Sequence, residues 1–278
     1  MKATRSRVVV TVLGSLLVLA SVLAPAAGGL SAAAQGEAQP GPYEDPAAVL
    51  EAVLDNLRGG PLRGTYTFLV ERPGRATEYV MEFVTDGEER GLIRIIAPPR
   101  EAGQAFLMDG DDLWLYNARL GRSLRLPPSG RSSAFLGSDV SYNDIVGRDM
   151  EKDYTVAFAV PGATQTAGAA GDTIDTIVLE LTPRQGAPTP YGRVIISIEA
   201  ATLTPQWLDY YDQRGRVVKR LVLSEYLESA GRRVPQLMVV EDRTREGYRT
   251  VVRLADVQMG AAVPGSCFTL QALERGCP

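Results

Sequence analysis

From Arg63 to Met259 the chain is a succession of short runs rich in Val, Ile, Leu and aromatic residues, each closed by turn residues, and that cadence points to a sheet. The runs are Arg63–Val70, Thr77–Thr85, Arg90–Ala97, Gln104–Met108, Asp112–Tyr116 and Arg122–Leu126, then Tyr154–Val160, Ile174–Thr182, Arg193–Ala200 and Gln206–Asp212. Arg216–Glu228, Arg233–Arg243 and Arg249–Met259 complete them. In Thr77–Thr85, Tyr79, Met81 and Phe83 share one face, while Glu78 and Glu82 belong to the other, as Arg94 does in the next run. The connections are tight: Pro73-Gly74, Asp86-Gly87, Asp109-Gly110-Asp111, and the evenly spaced Gly215, Gly231 and Gly247. Strands joined this way have no room for crossover helices, so the sheet is predicted to be antiparallel. About a dozen strands in one open sheet must curl or split. The expected fold is therefore α+β, a strongly curved antiparallel sheet or half-barrel with a few helices on its concave face.

One of those helices is written into the chain just before the first strand. Asp45-Pro46 supplies an N-cap and a first-turn proline, Val49, Leu50, Val53, Leu54 and Leu57 recur at helical spacing, and Gly59-Gly60-Pro61 ends the run. Ser138–Met150 is expected to hold another short helix, and Phe268–Glu274 a third. Pro161–Gly171 has the composition of a surface loop.

The first residues differ in kind. Lys2, Arg5 and Arg7 precede the apolar run Val8–Ala24, and small residues follow to Ala34, the anatomy of an export signal. Of two A-x-A sites, Ala24-Pro25-Ala26 and Ala32-Ala33-Ala34, the second avoids the awkward proline. Left uncleaved, the same stretch reads as an N-terminal anchor. Residues 1–34 are thus assigned to the signal, 35–43 to a Gly/Pro/Gln-rich linker and 44–278 to a single domain. Formal net charge is −4, and the removable segment carries bases and no acid, so the remainder is more acidic still. That argues against nucleic acid as the main partner.

The chain has no histidine. Ser-His-Asp and Cys-His catalysis, His-ligated metal and the usual neutral-pH base are excluded together. Asp109, Asp111 and Asp112 sit as in a hairpin turn, and an EF-hand would need an acid where Leu120 stands. Ser138-Asp139 and Tyr142-Asn143-Asp144 have no partner base and read as helix-capping groups. Neither a Gly-x-Ser-x-Gly elbow nor a phosphate-binding loop occurs. No cofactor, metal site or enzymatic activity is expected. Cys267 and Cys277, the only cysteines, most simply form one disulfide in an exported chain, with two free thiols as the other reading.

What remains is apolar surface. Phe68, Tyr79, Met81, Phe83, Ile93, Ile95, Phe106, Met108, Trp114 and Tyr116 are large residues on successive strands. Periodicity alone leaves open whether they fill a core or wall a ligand cavity.

A dense stretch adds to this. Pro98-Pro99, Gly103 and Phe106-Leu107 lead to Asp111-Asp112-Leu113-Trp114-Leu115-Tyr116. Leu120-Gly121-Arg122 follows, and then Phe135-Leu136-Gly137-Ser138-Asp139-Val140-Ser141-Tyr142-Asn143-Asp144. The pattern resembles the outer membrane lipoprotein-sorting protein-like family, relatives of the LolA/LolB carriers, with Asn143 standing where that family more usually has an acid. The resemblance implies a curved half-barrel capped by helices, with a hydrophobic cavity for acyl chains. It implies a non-enzymatic carrier or receptor of lipid or lipoprotein outside the cytoplasmic membrane, periplasmic or anchored, with a transporter of the RND type as a partner. In that picture the ten residues named above form the cavity wall, and Phe135, Leu136 and Tyr142 its rim. The alternative from another class is an envelope sensor or scaffold that binds a protein partner through its surface. An enzyme acting on lipids is third, for want of a base.

Overall fold

The computed structural model describes residues 43–277, apart from residues 111, 147–149, 160–163, 168–172, 188 and 230. The expected signal and nearly all of the linker lie outside the described residues.

Helix α1 (Pro46–Arg58) starts as its sequence dictates: the Asp45 side chain accepts a hydrogen bond from the Ala47 amide at 2.9 Å, and Pro46 occupies the first turn. It is followed by β1 (Leu62–Arg72), β2 (Arg75–Thr85), β3 (Arg90–Ala97), β4 (Ala105–Asp109), β5 (Asp112–Asn117) and β6 (Arg122–Arg125). After two short helices, α2 (Tyr142–Val146) and α3 (Met150–Asp153), come β7 (Tyr154–Phe158), β8 (Thr164–Ala167), β9 (Thr173–Pro183) and β10 (Arg193–Glu199). The last strands are β11 (Thr204–Tyr211), β12 (Val217–Ser229), β13 (Arg232–Asp242) and β14 (Arg249–Met259), followed by α4 (Leu270–Arg275).

Among the described residues fourteen strands form one antiparallel sheet, in the order β6-β5-β4-β3-β2-β1-β14-β13-β12-β11-β10-β9-β7, with β8 on β9. Two meanders are thereby joined at the middle, where the first strand pairs with the last. The sheet is open, with β6 and β7 at its edges, and register shifts at Arg63/Thr65, Val80/Met81, Ser197/Ile198 and Tyr210/Tyr211 add the twist that curves it. Strand β8 corrects the expectation of a loop over Pro161–Gly171: Thr164 to Ala167 pair with Thr176 to Thr173, the β-branched threonines favouring an added edge strand. The rest of that segment lies outside the described residues. The short helix expected in Ser138–Met150 is α2, and α3 follows from Met150, with residues 147–149 outside the description.

The order has a topological consequence. The chain leaves β6 at one edge and re-enters at β7 on the other, so the connection between them has to traverse a face of the sheet. It crosses the concave one, and Phe135 and Val140 are buried against β1–β5. Helix α1 lies on the same side, with Val49, Leu50, Val53 and Leu54 buried against strands β7 and β9–β12. Tyr43 donates to the Ala200 carbonyl at 2.7 Å and the Asn56 amide to those of Thr202 and Leu203 at 3.2 and 3.3 Å, tying both ends of α1 to the β10–β11 turn.

Helix α4 departs from the expectation that all helices sit on the concave face. It covers the outer face of β4 and β5 with Ala272 and Leu273, together with Cys267 and Phe268 of the turn before it. Cys267 is bonded to Cys277, Cα atoms 4.4 Å apart. Arg94, which strand alternation placed on the face opposite the apolar one, is covered by this helix. Its guanidinium donates to the carbonyls of Ala272 (3.1 Å) and Leu273 (2.8 Å), where a cation satisfies both open acceptors and the helix dipole.

Candidate functional site

Between α1 and the sheet the concave side encloses a cavity of about 510 Å³. Its wall is drawn from both halves of the sheet. Phe68, Met81, Phe83 and Ile93 come from the first meander, and Leu208, Leu221, Val234 and Val252 from the second, with Leu50, Val53 and Leu54 of α1 opposite. Side chains directly opposed on neighbouring strands share a face, so the pairings Phe83 with Ile93 and Ile93 with Phe106 carry one apolar stripe across three strands.

The same rule locates the residues the sequence singled out. Phe68, Met81, Phe83, Ile93 and Met108 line the cavity. Tyr79, Ile95 and Phe106 are on the concave face, but in the packed part of the cluster rather than at the cavity. Trp114 and Tyr116 are on the other side of the sheet. Trp114 pairs with Leu107 and Tyr116 with Ala105, and all four pack beneath the C-terminal segment with Phe268 and Leu273. The expected wall loses those two aromatics, because β5 turns Leu113 and Leu115 inward.

The expected rim is also displaced. Phe135 is 0 % exposed and stands as a plug, its ring centroid 4.9 Å from Phe106, 5.7 Å from Phe68 and 5.4 Å from Tyr142. Leu136 and Tyr142 are half-buried in the same cluster and do not line the cavity. Leu136 takes φ 51° in the single turn Phe135–Gly137 that folds the plug back on itself.

Two ionic clamps hold this crossing segment to the sheet. Asp139, 3 % exposed at its side chain, receives Arg72 at 2.8 Å and the Thr250 hydroxyl at 2.8 Å, while Arg72 also donates to the Gly137 carbonyl at 2.6 Å. Asp144 receives the ammonium of Lys219 at 3.0 and 2.9 Å on its two oxygens. Asp144 closes a capping box as well, accepting from the Ser141 amide at 2.8 Å while the Ser141 hydroxyl accepts from the Asp144 amide at 3.1 Å. Of the polar residues expected to cap helices, Asp144 does so; Ser138 instead accepts from the Val140 amide in a local turn, Asp139 is held by Arg72, and Asp144 carries an ion pair as well.

Lys219 is the one of these groups that the sequence analysis missed. Its side chain is 10 % exposed and its nitrogen lies 4.1 Å from the Tyr210 ring centroid and 4.9 Å from that of Tyr191. Burial works against its charge, yet the Asp144 carboxylate and the Tyr210 and Tyr191 oxygens hold the ammonium well above the usual lysine value. Burial likewise pushes Tyr66, beside the cavity, up to about 12. A signal existed: Lys219, Leu221 and Leu223 alternate in phase, which places a lysine on an apolar face.

The opposite end of the cavity is open. Exposed Glu88, Glu89 and Arg90 line it there, with Gly60, Gly87 and Arg232. Gly87 (φ 82°) meets the Gly60 backbone so closely that any Cβ would collide with the Gly60 carbonyl. No group of three or more His, Cys, Asp or Glu side chains able to hold a metal occurs among the described residues. The turn expected from Asp109 to Asp111 ends outside them; Asp112 pairs with Arg125.

A protein-family model described as that of an uncharacterized protein matches residues 87–275, more than half of the chain. No curated protein matches. Among solved structures, an outer membrane lipoprotein-sorting protein domain from Vibrio parahaemolyticus is similar at TM-score 0.72 and 21% identity, over 82% of this chain and 98% of that one. A DUF1329 family protein from Desulfovibrio piger is similar at TM-score 0.71 and 25% identity, over 83% and 100%. A LolA superfamily protein from Nitrosomonas europaea is similar at TM-score 0.68 and 22% identity, over 82% and 99%. The open, curved antiparallel sheet with few helices is the fold these structures share with the chain.

Proposed function

The chain belongs to the family of uncharacterized proteins whose model spans residues 87–275 and has the fold of lipoprotein-sorting domains, and from that premise we propose that it is an exported, non-enzymatic carrier or receptor that takes lipid, or the acyl chains of lipoproteins, into its cavity. The observation that carries this reading is the cavity itself. Packed cores leave few voids larger than a water, whereas about 510 Å³ falls among pockets that hold whole ligands, roughly 300–1,000 Å³. Its apolar wall suits a hydrocarbon chain, worth about 0.8 kcal/mol for each CH₂ removed from water. A sixteen-carbon chain then gains roughly ten kcal/mol gross, before the cost of ordering it.

Chemistry is a poorer use of this site. The carboxylate and the ammonium that face it at the plugged end, Asp144 and Lys219, are bound to each other. No helix among the described residues is long and apolar enough to cross a membrane. A donor or acceptor in the envelope, such as a membrane transporter, is the partner this reading calls for.

Leu221 offers the test, because it packs against the residues of both halves of the sheet and lines the cavity without being fully buried. Leu221→Trp is expected to fill the space and reduce uptake of a fluorescent fatty acid at least tenfold, with the melting temperature changed by a few degrees. Wild-type protein that takes up no acyl probe, or a variant that takes it up unchanged, refutes the reading.

A further inference from the structure

At the open end of the cavity one cation is left without its full complement of acceptors. Arg232 begins β13, directly after the turn from β12, and it is in phase with Val234 on the concave face. Its Nη1 reaches the Gly60 carbonyl at 3.4 Å, a weak bond. Among the described residues its Nε and Nη2, both shielded from solvent, meet no hydrogen-bond acceptor. A guanidinium stays charged in proteins and presents five N–H donors in a rigid fork. Leaving such donors dry and unmatched is costly, and an oxyanion is the partner that satisfies two of them at once.

The contrast with the other end makes the point. There the buried Lys219 has Asp144, and Arg72 has Asp139, each within 3.0 Å. Lys219 and the Arg232 turn lie at opposite ends of the β12–β13 hairpin, since Lys219 pairs with Asp242 and Ser229 with Arg232. About ten residues of strand at 3.3 Å each separate them, roughly 33 Å. The cavity therefore runs between an end where Lys219 is matched by Asp144 and an end where two donors of Arg232 meet no acceptor. Burial lowers the pKa of Arg232 in spite of Asp55 on α1, in keeping with a site that lacks its counter-charge. Glu88 and Glu89 at the same mouth are exposed, where water and salt screen them.

We infer that Arg232 is the head-group site of the cavity, and that the ligand is an anionic amphiphile whose carboxylate or phosphate is held by the Arg232 guanidinium with its chain directed toward Phe135. This rests on the acyl-binding reading above and adds a sign of charge and an orientation to it.

The test is displacement of a neutral pyrene-labelled acyl alcohol by laurate, dodecyl phosphate, dodecanol and inorganic phosphate at neutral pH. Wild-type protein is expected to release the probe at about tenfold lower laurate or dodecyl phosphate than dodecanol, the effect of one charge-assisted contact. Arg232→Gln should abolish that preference and leave the dodecanol curve in place, and Arg232→Lys should keep part of it. The wild-type comparison needs no variant, so the inference is decided even where a substitution unfolds the chain. Equal displacement by laurate and dodecanol, or a preference that survives Arg232→Gln, overturns the head-group site while acyl binding stands. Inorganic phosphate acting as well as dodecyl phosphate overturns it in favour of a bare anion site. Failure of the probe to bind at all removes the acyl-binding reading, and the inference with it.

Discussion

Asp144→Asn and Lys219→Met, which break the same ion pair from opposite sides, should have unequal costs. Lys219 is 10 % exposed at its side chain and lies between two tyrosine rings, whereas Asp144 is 25 % exposed and keeps the Ser141 amide and hydroxyl as donors. Removing the carboxylate strands a buried ammonium, a loss of about 3–5 kcal/mol for a fully buried pair. Partial solvation of Asp144 places the expected loss near the lower figure, about 3 kcal/mol. Removing the ammonium leaves a carboxylate that is still hydrogen-bonded and partly wet, and Met fills much of the vacated space, for an expected cost of about 1 kcal/mol. The double variant should resemble Lys219→Met alone, because nothing charged is then left unpaired. Urea unfolding with an unchanged slope reports these differences, and in a domain of this size about 3 kcal/mol corresponds to a fall of roughly 6–12 °C in Tm. Equal single-variant losses that simply add would refute the reasoning, since they would mean the two groups do not depend on each other.

Further outcomes follow from where other groups lie. Both tryptophans are on the outer face, Trp114 opposite Leu107 and Trp207 under the Arg220 guanidinium at 5.2 Å; tryptophan emission should therefore stay constant as an acyl ligand is titrated in, and a large shift would place one of them at the cavity. The Cys267–Cys277 bond closes a short loop, which by chain entropy contributes about 2–3 kcal/mol. Cys267→Ser with Cys277→Ser should lower Tm accordingly and leave acyl uptake unchanged, because α4 covers the other face of the sheet. Burial raises the pKa of Tyr66 to about 12, and burial raises that of Tyr210 as well, against an unfolded value near 10. Both are protonated in either state below about pH 10; above it the unfolded chain ionises first, so their stabilisation is lost as pH climbs from about 10 toward 12. Phenolate absorbance should then rise in step with loss of circular dichroism; ionisation of all eleven tyrosines with the fold intact would contradict their burial.

Much of this fold was legible in the residues because strands and turns are local matters. Runs such as Thr77–Thr85 and the capped helix at Asp45-Pro46 carry their own instructions. The side of the sheet each residue faces is not local. Leu113, Trp114, Leu115 and Tyr116 are apolar in both phases, so alternation gives two faces and no way to choose between them. The choice is made by the register with β4 and by a C-terminal helix that covers the outer face from about 150 residues away in sequence. Phe135 was misplaced for a related reason: a connection between the two edges of an open sheet has to cross it, and that requirement appears only once the strand order is known. Lys219 and Arg232 were the visible clues left unused, each a cation in phase with apolar neighbours. The chemistry that gives them meaning, one matched by Asp144 and one unmatched, depends on distance in space.

The central claim, that the cavity is a ligand site rather than a loosely filled core, is tested most directly by native mass spectrometry of the protein purified from the cell envelope under gentle conditions, with extraction and identification of what it carries. The account predicts one acyl lipid per chain, released on unfolding and absent from Leu221→Trp. A wild-type protein that runs at its bare mass and acquires no mass when incubated with acyl lipids would contradict it.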